Sequence, residues 1–573
     1  MGDFPDALNR LAARLETLEG RVEALEHPYD ASAAELTPAS RVLEPSPSLA
    51  LQAGDIVSIV LAGGVFQVLG KAMLGIAGAY LLRAVAESTS LPKLGVAAIA
   101  IAYAMFWLVA ATRTPAGAWF ESTTYACISA LILAPMLWEL TLRFNVLPAT
   151  ATAFVLGAFI CAATALAWKR NLASVFWVAN TTAALIAVAL SIATCQVLPF
   201  IAVLLLMVLL SECGAELGRG LGVRFLVAAV ADLAIWALMF IYSSPQSMRA
   251  DYPLLGTAAL LAPALILFAI YGVSVAVKTV LLGQKITAFE TIQTTIAFLL
   301  AASSLLYFEP SRGAVVLGVV CLVLSAASYA TVFALFDRSP ERRNYRVFAN
   351  WSAALLLAGC ALCLPPLWMA GSLGVVAIVA VVLGVRFNRT ALQFHGLAYL
   401  LAAAIASRLL AYIFSALAGT LPGLPSMSVS LVAACAIPCY AAGLSRRGER
   451  WKQQVFPYVS ATLAIGAVTA LIVEGLMGLL VPLALSVSPG PHHLAIIRTL
   501  TICAVALALA FSGAHWRRME LTRIGYAALV LVAAKLIFED LRHGHLEFIA
   551  ASIFLFAVTL IAVPRIARMG PRA

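Results

Sequence analysis

The sequence has few charged residues and no long polar stretch between its apolar runs. Charged residues make up 11% of the 573 residues, hydrophobic residues make up 63%, and the mean hydropathy is +0.98. No loop between two apolar runs exceeds 20 residues. These values exclude a soluble globular protein, and they leave no room for a separate catalytic domain between the runs.

Motifs for catalysis and metal binding are also lacking. The chain has no Ser-His-Asp set, no His-Glu-x-x-His motif and no phosphate-binding loop. The pairs His492-His493 and His543-Gly-His545 have no carboxylate at helical spacing. All ten cysteines lie within apolar runs or, for Cys195, within two residues of one, which favours a role as small hydrophobic residues. We expect no cofactor and no metal, and enzymatic activity is not supported.

What the chain does have is a series of about 18 apolar runs, each about 20 residues long. A run of this length crosses a hydrocarbon core of about 30 Å as a helix. Because lipid offers no hydrogen-bond partners, each run must pair its own backbone groups and therefore be helical. The sequence thus predicts an all-α, polytopic transmembrane protein. The predicted spans are Val65–Leu82, Leu94–Ala111, Trp119–Leu137, Ala149–Trp168, Leu172–Ala193, Val197–Cys213, Val223–Tyr242, Leu254–Val277, Ile286–Tyr307, Gly313–Phe336, Val347–Leu364, Leu367–Val385, Ala391–Ala416, Val429–Leu444, Val455–Val473, Leu494–Ser512, Leu521–Phe538 and Phe548–Val563.

The distribution of Lys and Arg predicts the orientation of these spans. Loops after even-numbered spans and the C-terminal tail carry 23 of these cations, whereas loops after odd-numbered spans carry 7. This alternation follows the positive-inside rule, so we expect both termini to be cytoplasmic. The formal charge of +10 is spread along successive loops and forms no patch, which argues against a nucleic-acid partner.

The first 54 residues differ from the rest of the chain. Residues 1–27 contain an amphipathic helix whose apolar residues follow an a/d pattern, and residues 28–54 form a tether rich in Pro and Ser, ahead of the membrane domain at 55–573. We expect the helix to form a homo-oligomer through the Leu8–Leu25 seam. The alternative is an amphipathic helix that lies on lipid. The seam consists of Leu8, Leu11, Leu15, Leu18, Val22 and Leu25.

Ionisable residues inside apolar runs are the best candidates for a functional site, because a charge at the bilayer centre costs roughly 2.5–3.5 kcal/mol on insertion scales. Asp232 lies in the middle of its span, and Lys71 lies one or two turns into the first span. Asp232 is interpreted either as an ion or proton site or as a structural carboxylate bonded to a Ser, Thr or Arg of a neighbouring helix.

A second set of candidates lies at the predicted outer ends of odd-numbered spans. Several members are four residues apart and could pair along one helix face. Charges that recur at one depth could line an outward-facing vestibule, or they could be interfacial anchors whose charged ends reach the headgroups. The set comprises Arg83, Glu87, Glu139, Arg143, Arg408, Glu474, Lys535, Glu539 and Asp540.

A third set lies at the predicted inner side. Glu212 and Glu216 are one turn apart, among Gly214, Gly218 and Gly222, and Glu290 and Gln293 open the ninth span. The four-residue spacing of the glycines favours close helix contact.

Three segments resemble a bacterial family of predicted multi-pass membrane proteins, domain of unknown function 2339. They are the Leu-Glu-x-Arg-Val-x-x-Leu-Glu piece at 18–26, the opening membrane segment at 69–83 and the Ala-Lys-Leu-Ile-Phe-Glu-Asp-Leu segment at 534–541. The resemblance implies an inner-membrane protein with many spans and small loops. That family has no established activity, so the resemblance implies no catalytic residues.

Two functions remain open at the level of sequence. The preferred one is a scaffold or envelope-organising protein of the inner membrane, whose intramembrane charges are structural. The alternative is a transporter or flippase-like protein with a polar path through those charges, of unknown substrate. A transporter is expected to have a wet cavity near the midplane and broken helices, whereas a scaffold is expected to have its charges paired.

Overall fold

The structure is a computed structural model, and it describes residues 64–88, 93–115, 118–219, 222–336, 342–418, 423–443, 451–483, 491–540 and 546–568. The predicted N-terminal helix, its Leu8–Leu25 seam and the tether lie outside these residues. In the described part of the chain every regular element is helical, which confirms the all-α class.

Nineteen α-helices account for all the predicted apolar runs within the described residues. Each helix coincides with a run because lipid-exposed backbone must pair within its own segment. The helices are α1 Gly64–Ser88, α2 Lys93–Arg113, α3 Trp119–Trp138, α4 Ala149–Arg170, α5 Ala173–Ala193, α6 Val197–Glu216, α7 Arg224–Ser243, α8 Thr257–Ala276, α9 Ala288–Phe308, α10 Gly313–Thr331, α11 Arg342–Cys363, α12 Pro366–Arg386, α13 Thr390–Ala406, α14 Leu409–Ala418, α15 Met427–Gly443, α16 Trp451–Leu483, α17 Pro491–His515, α18 Met519–Lys535 and α19 Leu546–Arg568.

The chain divides into two compact units, Met1–Leu74 and Gly75–Ala573. The described part of the first unit is Gly64–Leu74, the first three turns of α1, and it contains the half-buried Lys71. All other features below belong to the second unit.

Fifteen helices in the described residues are long and apolar enough to cross a membrane. The predicted span Ala391–Ala416 is wrong as a single straight helix, because it consists of α13 and α14, which meet at a bend of 65°. Arg408 lies at the bend with a φ of +62°, a left-handed backbone that ends a helix. If the bent pair is one span, the number of candidate spans is sixteen.

Four helices end in a single π-helical turn. These turns follow α3, α8, α10 and α18 directly, and each extends the helix by five residues. A π-turn changes which side chains face each other across a helix, and such turns are frequent at functional sites. The turns are Glu139–Arg143, Val277–Leu281, Val332–Phe336 and Leu536–Asp540.

An extensive apolar core lies between α12, α13, α15 and α16, and much of it is alanine. Small residues let helix backbones approach closely in a membrane, where lipid removes the usual hydrophobic drive for packing. Gly396 of α13 is an example, because a Cβ atom there would lie 2.6 Å from Val381 Cγ2 and 3.0 Å from the Ala377 carbonyl oxygen of α12. Substitution of Gly396 by alanine would therefore separate these two helices.

Candidate functional site

A cluster of charged side chains lies where four consecutive helices meet. It is built from the C-terminal ends of α6 and α8 and the N-terminal ends of α7 and α9, so two helices end and the two that follow them begin at this cluster. We call it the Glu212 cluster, and its members are Glu212, Glu216, Arg224, Ser274, Lys278 and Glu290.

Arg224 and Lys278 neutralise two of the three glutamates. Arg224 donates from Nε to Glu212 Oε1 at 2.9 Å and from Nη2 to Glu212 Oε2 at 2.5 Å, a two-point ion pair. Lys278 Nζ pairs with Glu290 Oε1, and Arg224 Nη1 lies 3.4 Å from the same oxygen. Glu212 and Glu290 are only 2% and 1% exposed, whereas the side chains of Arg224 and Lys278 are 18% and 13% exposed, so the acids of these pairs are buried and the cations partly so.

Glu290 also begins helix α9. Its Oε2 accepts from the backbone N–H of Thr287 at 2.8 Å, while Thr287 Oγ1 accepts from the backbone N–H of Glu290 at 3.3 Å. This reciprocal capping box satisfies two backbone donors that a helix start leaves open. A single carboxylate therefore caps α9 and holds both cations of the cluster.

Ser274 joins the two glutamates of α6. Its Oγ lies 3.0 Å from Glu212 Oε2 and 3.0 Å from Glu216 Oε1. Glu216 is half-buried, and its Oε2 is buried without a hydrogen-bond partner among the described residues. Glu216 is thus the least satisfied group of the cluster.

Asp232 lies two turns further along α7 than Arg224, in the interior of the helix. Gln293 Nε2 of α9 lies 2.8 Å from both carboxylate oxygens of Asp232. The structural interpretation of Asp232 named a Ser, Thr or Arg of a neighbouring helix as its partner, and the partner in the structure is Gln293 of the neighbouring helix α9. Tyr271 of α8 is 1% exposed and close enough to Glu212 and Asp232 to interact with both electrostatically.

The glycines around Glu216 differ from their predicted role. Only Gly214 makes a close helix contact, because a Cβ atom there would lie 2.9 Å from Trp168 Cζ2 of α4. Gly218 and Gly222 have φ values of +70° and +82° and shape the turn between α6 and α7. This turn brings Arg224 back to Glu212.

A second cluster, the Lys535 cluster, lies between α17 and the end of α18. Lys535 Nζ donates to Asp540 Oδ1 at 2.5 Å, to the Ala495 carbonyl oxygen at 2.8 Å and to Thr499 Oγ1 at 3.0 Å. The predicted Lys535–Glu539 pair is present at 3.7 Å. Lys535 lies nearer to Asp540 than to Glu539, because the π-turn Leu536–Asp540 brings Asp540 back towards Lys535.

Arg498 completes the Lys535 cluster. It is 1% exposed, and Nη1 donates to Glu539 Oε1 at 2.9 Å. Its Nε and Nη2 donate to the carbonyl oxygens of Ala416 and Ser415 at 2.7 and 3.0 Å. These are open carbonyls at the C-terminal end of α14, where the helix dipole favours a cation. Arg498 thus holds the broken helix against the cluster.

The other predicted residues are distributed over further places. Arg408 is exposed at the bend before α14. Glu474 of α16 is half-buried, and its Oε2 and the Tyr412 hydroxyl are both buried without hydrogen-bond partners among the described residues. Electrostatic interaction links Glu474 to Tyr412.

Arg83 and Glu139 form an ion pair between α1 and the π-turn after α3. Their Nη2 and Oε1 atoms are 2.9 Å apart, and Arg83 is 40% exposed. The pair lines one side of a mainly apolar cavity of about 270 Å³. Arg143 is exposed beside Phe144, and the side chain of Glu87 lies outside the described residues.

Sequence reasoning did not identify Arg224, Lys278 and Arg498 as partners of the acids. It also missed a network in which the Tyr329 hydroxyl lies 2.9 Å from His395 Nδ1 and 2.6 Å from the Tyr399 hydroxyl. One feature of the sequence could have identified Arg224 and Lys278 as partners of the acids, because both lie within one turn of the end of an apolar run.

Comparison with known proteins gives no match, whether against family models, curated proteins or solved structures. The resemblance to domain of unknown function 2339 therefore stays a prediction. Among the described residues, no group of three or more His, Cys, Asp or Glu side chains is placed to hold a metal ion.

Proposed function

We propose that this multi-pass membrane protein is a transport protein driven by protons or monovalent cations, with its ion site in the Glu212 cluster and at Asp232. The observation that carries the proposal is an excess of acid. Four carboxylates on α6, α7 and α9 face two cations, Arg224 and Lys278. The remaining cations nearest in the chain, Arg219 and Lys285, are exposed.

The two carboxylates without a cation partner among the described residues, Glu216 and Asp232, are half-buried and need positive charge from elsewhere. An uncompensated charge costs several kcal/mol in a low-dielectric interior, so the group takes up a proton or binds a cation. Because four carboxylates face two cations, two carboxylates remain that need a proton or a bound cation. Ionisable groups inside membrane segments commonly mark ion pathways and proton relays for this reason.

The acids also extend from the end of α6 to the middle of α7. Glu216 is half-buried at the end of α6, Glu212 is buried one turn before it in the chain, and Asp232 is half-buried in the middle of α7. Ser274 and the buried Tyr271 of α8 lie beside them. This order of polar groups supports a path for an ion that enters at Glu216.

Charge-displacement recording on a solid-supported membrane tests the proposal without knowledge of the substrate. Proteoliposomes would receive a pH jump at constant Na⁺ and, separately, a Na⁺ jump at constant pH. We expect a transient current after at least one of the jumps, because an ion that enters the buried site crosses part of the membrane field. Asp232→Asn should lose the current.

Asp251→Asn is the matched control, since Asp251 is an exposed carboxylate in the loop before α8. It should keep the wild-type current. Absence of current after both jumps in the wild-type protein contradicts the transport function. A current that is unchanged in Asp232→Asn removes Asp232 from the ion path.

A scaffold function is the second candidate, and the Lys535 cluster favours it. All four of its charges are paired, and Arg498 links α14 to α17 and α18.

We further propose that the cytoplasmic N-terminal helix makes this scaffold a homo-oligomer in the inner membrane. Crosslinking of full-length protein in membranes tests this: Leu15→Asp with Leu18→Asp should abolish crosslinks between N-termini. Crosslinks that survive would favour a helix that lies on lipid.

A further inference from the structure

One hydroxyl group lies between two carboxylates in the Glu212 cluster. Ser274 Oγ is 3.0 Å from Glu212 Oε2 and 3.0 Å from Glu216 Oε1. A serine hydroxyl has one hydrogen to donate, although it can accept as well. If both carboxyl groups were ionised, one of the two contacts would join oxygen atoms with no hydrogen between them. A second hydrogen must therefore come from a carboxyl group.

The surroundings of the two acids decide which one carries that hydrogen. Glu212 accepts two hydrogen bonds from Arg224 and forms a two-point ion pair with it. Among the described residues, no Lys or Arg nitrogen is within ion-pair distance of Glu216, and its Oε2 has no partner. Its neighbour across the interface, Lys278, is paired with Glu290.

Charge balance gives the same assignment independently. With Glu216 neutral, the cluster contains two carboxylates, Glu212 and Glu290, and two cations, Arg224 and Lys278. Every buried charge then has a partner of opposite sign. The groups that face Glu216 are Glu212 on its own helix, Ser274 and Lys278 on α8, and Glu290 at the start of α9.

We infer that Glu216 carries a proton in this cluster. It donates that hydrogen through Oε1 to Ser274 Oγ, while Ser274 donates its own hydrogen to Glu212 Oε2. Each of the two short contacts then contains one hydrogen, and Glu216 is neutral.

This inference deepens the proposed function, and it rests on that function only for the role of the proton in transport. The protonation state itself is measured without transport, by infrared spectroscopy of the purified protein in lipid at neutral pH. A protonated carboxyl group has a carbonyl band that shifts when H₂O is exchanged for D₂O. The difference between wild type and Glu216→Gln should contain such a band.

Three variants make the assignment specific. Asp251→Asn, an exposed carboxylate outside the cluster, should leave the band of Glu216 unchanged. Ser274→Ala should keep the band and shift its frequency, because the acceptor of the Glu216 hydrogen is lost, whereas Ser274→Thr keeps a hydroxyl and should restore the wild-type frequency. Thermal unfolding of each variant establishes that it is folded before its spectrum is compared.

The outcomes separate the inference from the proposed function. Loss of an exchangeable carboxyl band in Glu216→Gln supports the inference even if no pH jump produces a current, in which case the transport function fails alone. A folded Glu216→Gln protein with the complete wild-type carboxyl spectrum overturns the inference, even if the currents and their dependence on Asp232 are present.

Discussion

The Glu212 cluster and the Lys535 cluster are both buried, but they balance their charges differently. The Lys535 cluster has two cations and two carboxylates, and each side chain has a partner of opposite sign within the cluster. The Glu212 cluster and Asp232 together have four carboxylates and two cations, and one oxygen of Glu216 has no partner among the described residues. Balanced charges favour a structural role, whereas an excess of acid favours exchange of protons or cations.

Both clusters contain a π-turn at the end of a helix. In each, a π-turn at the C-terminal end of a helix contributes ionisable side chains, Lys278 after α8 in one cluster and Glu539 and Asp540 after α18 in the other. The π-turn lets a charged residue that follows an apolar run turn back towards the bundle. The proposed difference in function therefore rests on the number of charges of each sign, since both clusters use the same π-turn.

Removal of one acid from the balanced cluster should have the largest effect on stability. Asp540→Asn leaves the buried Lys535 without its nearest carboxylate, and loss of one partner of a buried pair typically costs about 3–5 kcal/mol. The measurement is thermal and denaturant unfolding of the purified protein. A loss below about 1 kcal/mol would mean that water or Glu539 compensates Lys535, and the cluster would not be structural.

The matched control for this loss is the ion pair between Arg83 and Glu139. Arg83 is 40% exposed, so Arg83→Leu removes a pair that solvent already screens and should cost less than about 1 kcal/mol. If Arg83→Leu lost as much unfolding free energy as Asp540→Asn, the exposure of an ion pair would not predict its contribution to the stability of this protein.

Asp232→Asn should have a large effect on ion movement and a small effect on folding. The amide keeps a hydrogen bond with Gln293, so stability should change by less than about 1.5 kcal/mol, while the charge-displacement current is lost. If the residue is only structural, the current in Asp232→Asn should equal that of wild type, and Asp232→Leu should destabilise the protein because it leaves the buried Gln293 amide without its partner.

Removal of one acid from the cluster with excess acid should have the smallest effect on stability. Glu216→Gln replaces the least satisfied carboxyl group by an amide that still donates to Ser274, so the expected change is within about 1 kcal/mol. Unfolding of Glu216→Gln and Asp540→Asn under the same conditions compares the clusters directly. Equal losses would contradict the difference in charge balance between them.

The two clusters are also predicted to lie on opposite sides of the membrane. The positive-inside prediction places the Glu212 cluster at the cytoplasmic side and the Lys535 cluster at the outer side. Reporters fused before Met1, inserted at Gly283 and fused after Arg572 should report cytoplasm, and a reporter in the loop 486–491 should report the outside. A C-terminus outside the cytoplasm would mean an odd number of spans and would reverse the assignment of the Lys535 cluster.

The sequence predicted the helices well because a membrane helix is specified by local chemistry. Apolar length and internal backbone pairing are properties of one segment, so every predicted run in the described residues contains a helix. The break at Arg408 is the exception. A left-handed residue and a 65° bend depend on contacts that α14 makes with other helices, and Arg498 is 82 residues away from the carbonyl oxygen that it binds at Ala416.

Asp232, Glu212, Glu216 and Glu290 could be selected from the sequence because a carboxylate stands out in or beside an apolar run. Their partners could not be selected, since Gln293, Ser274 and Arg224 are ordinary residues until helix rotation and the π-turn after α8 place them against the acids. Sequence by itself therefore determined the all-helical membrane class and the positions of the buried acids. Only the tertiary structure decided which acids are neutralised, because that depends on distances of a few ångströms between side chains of different helices.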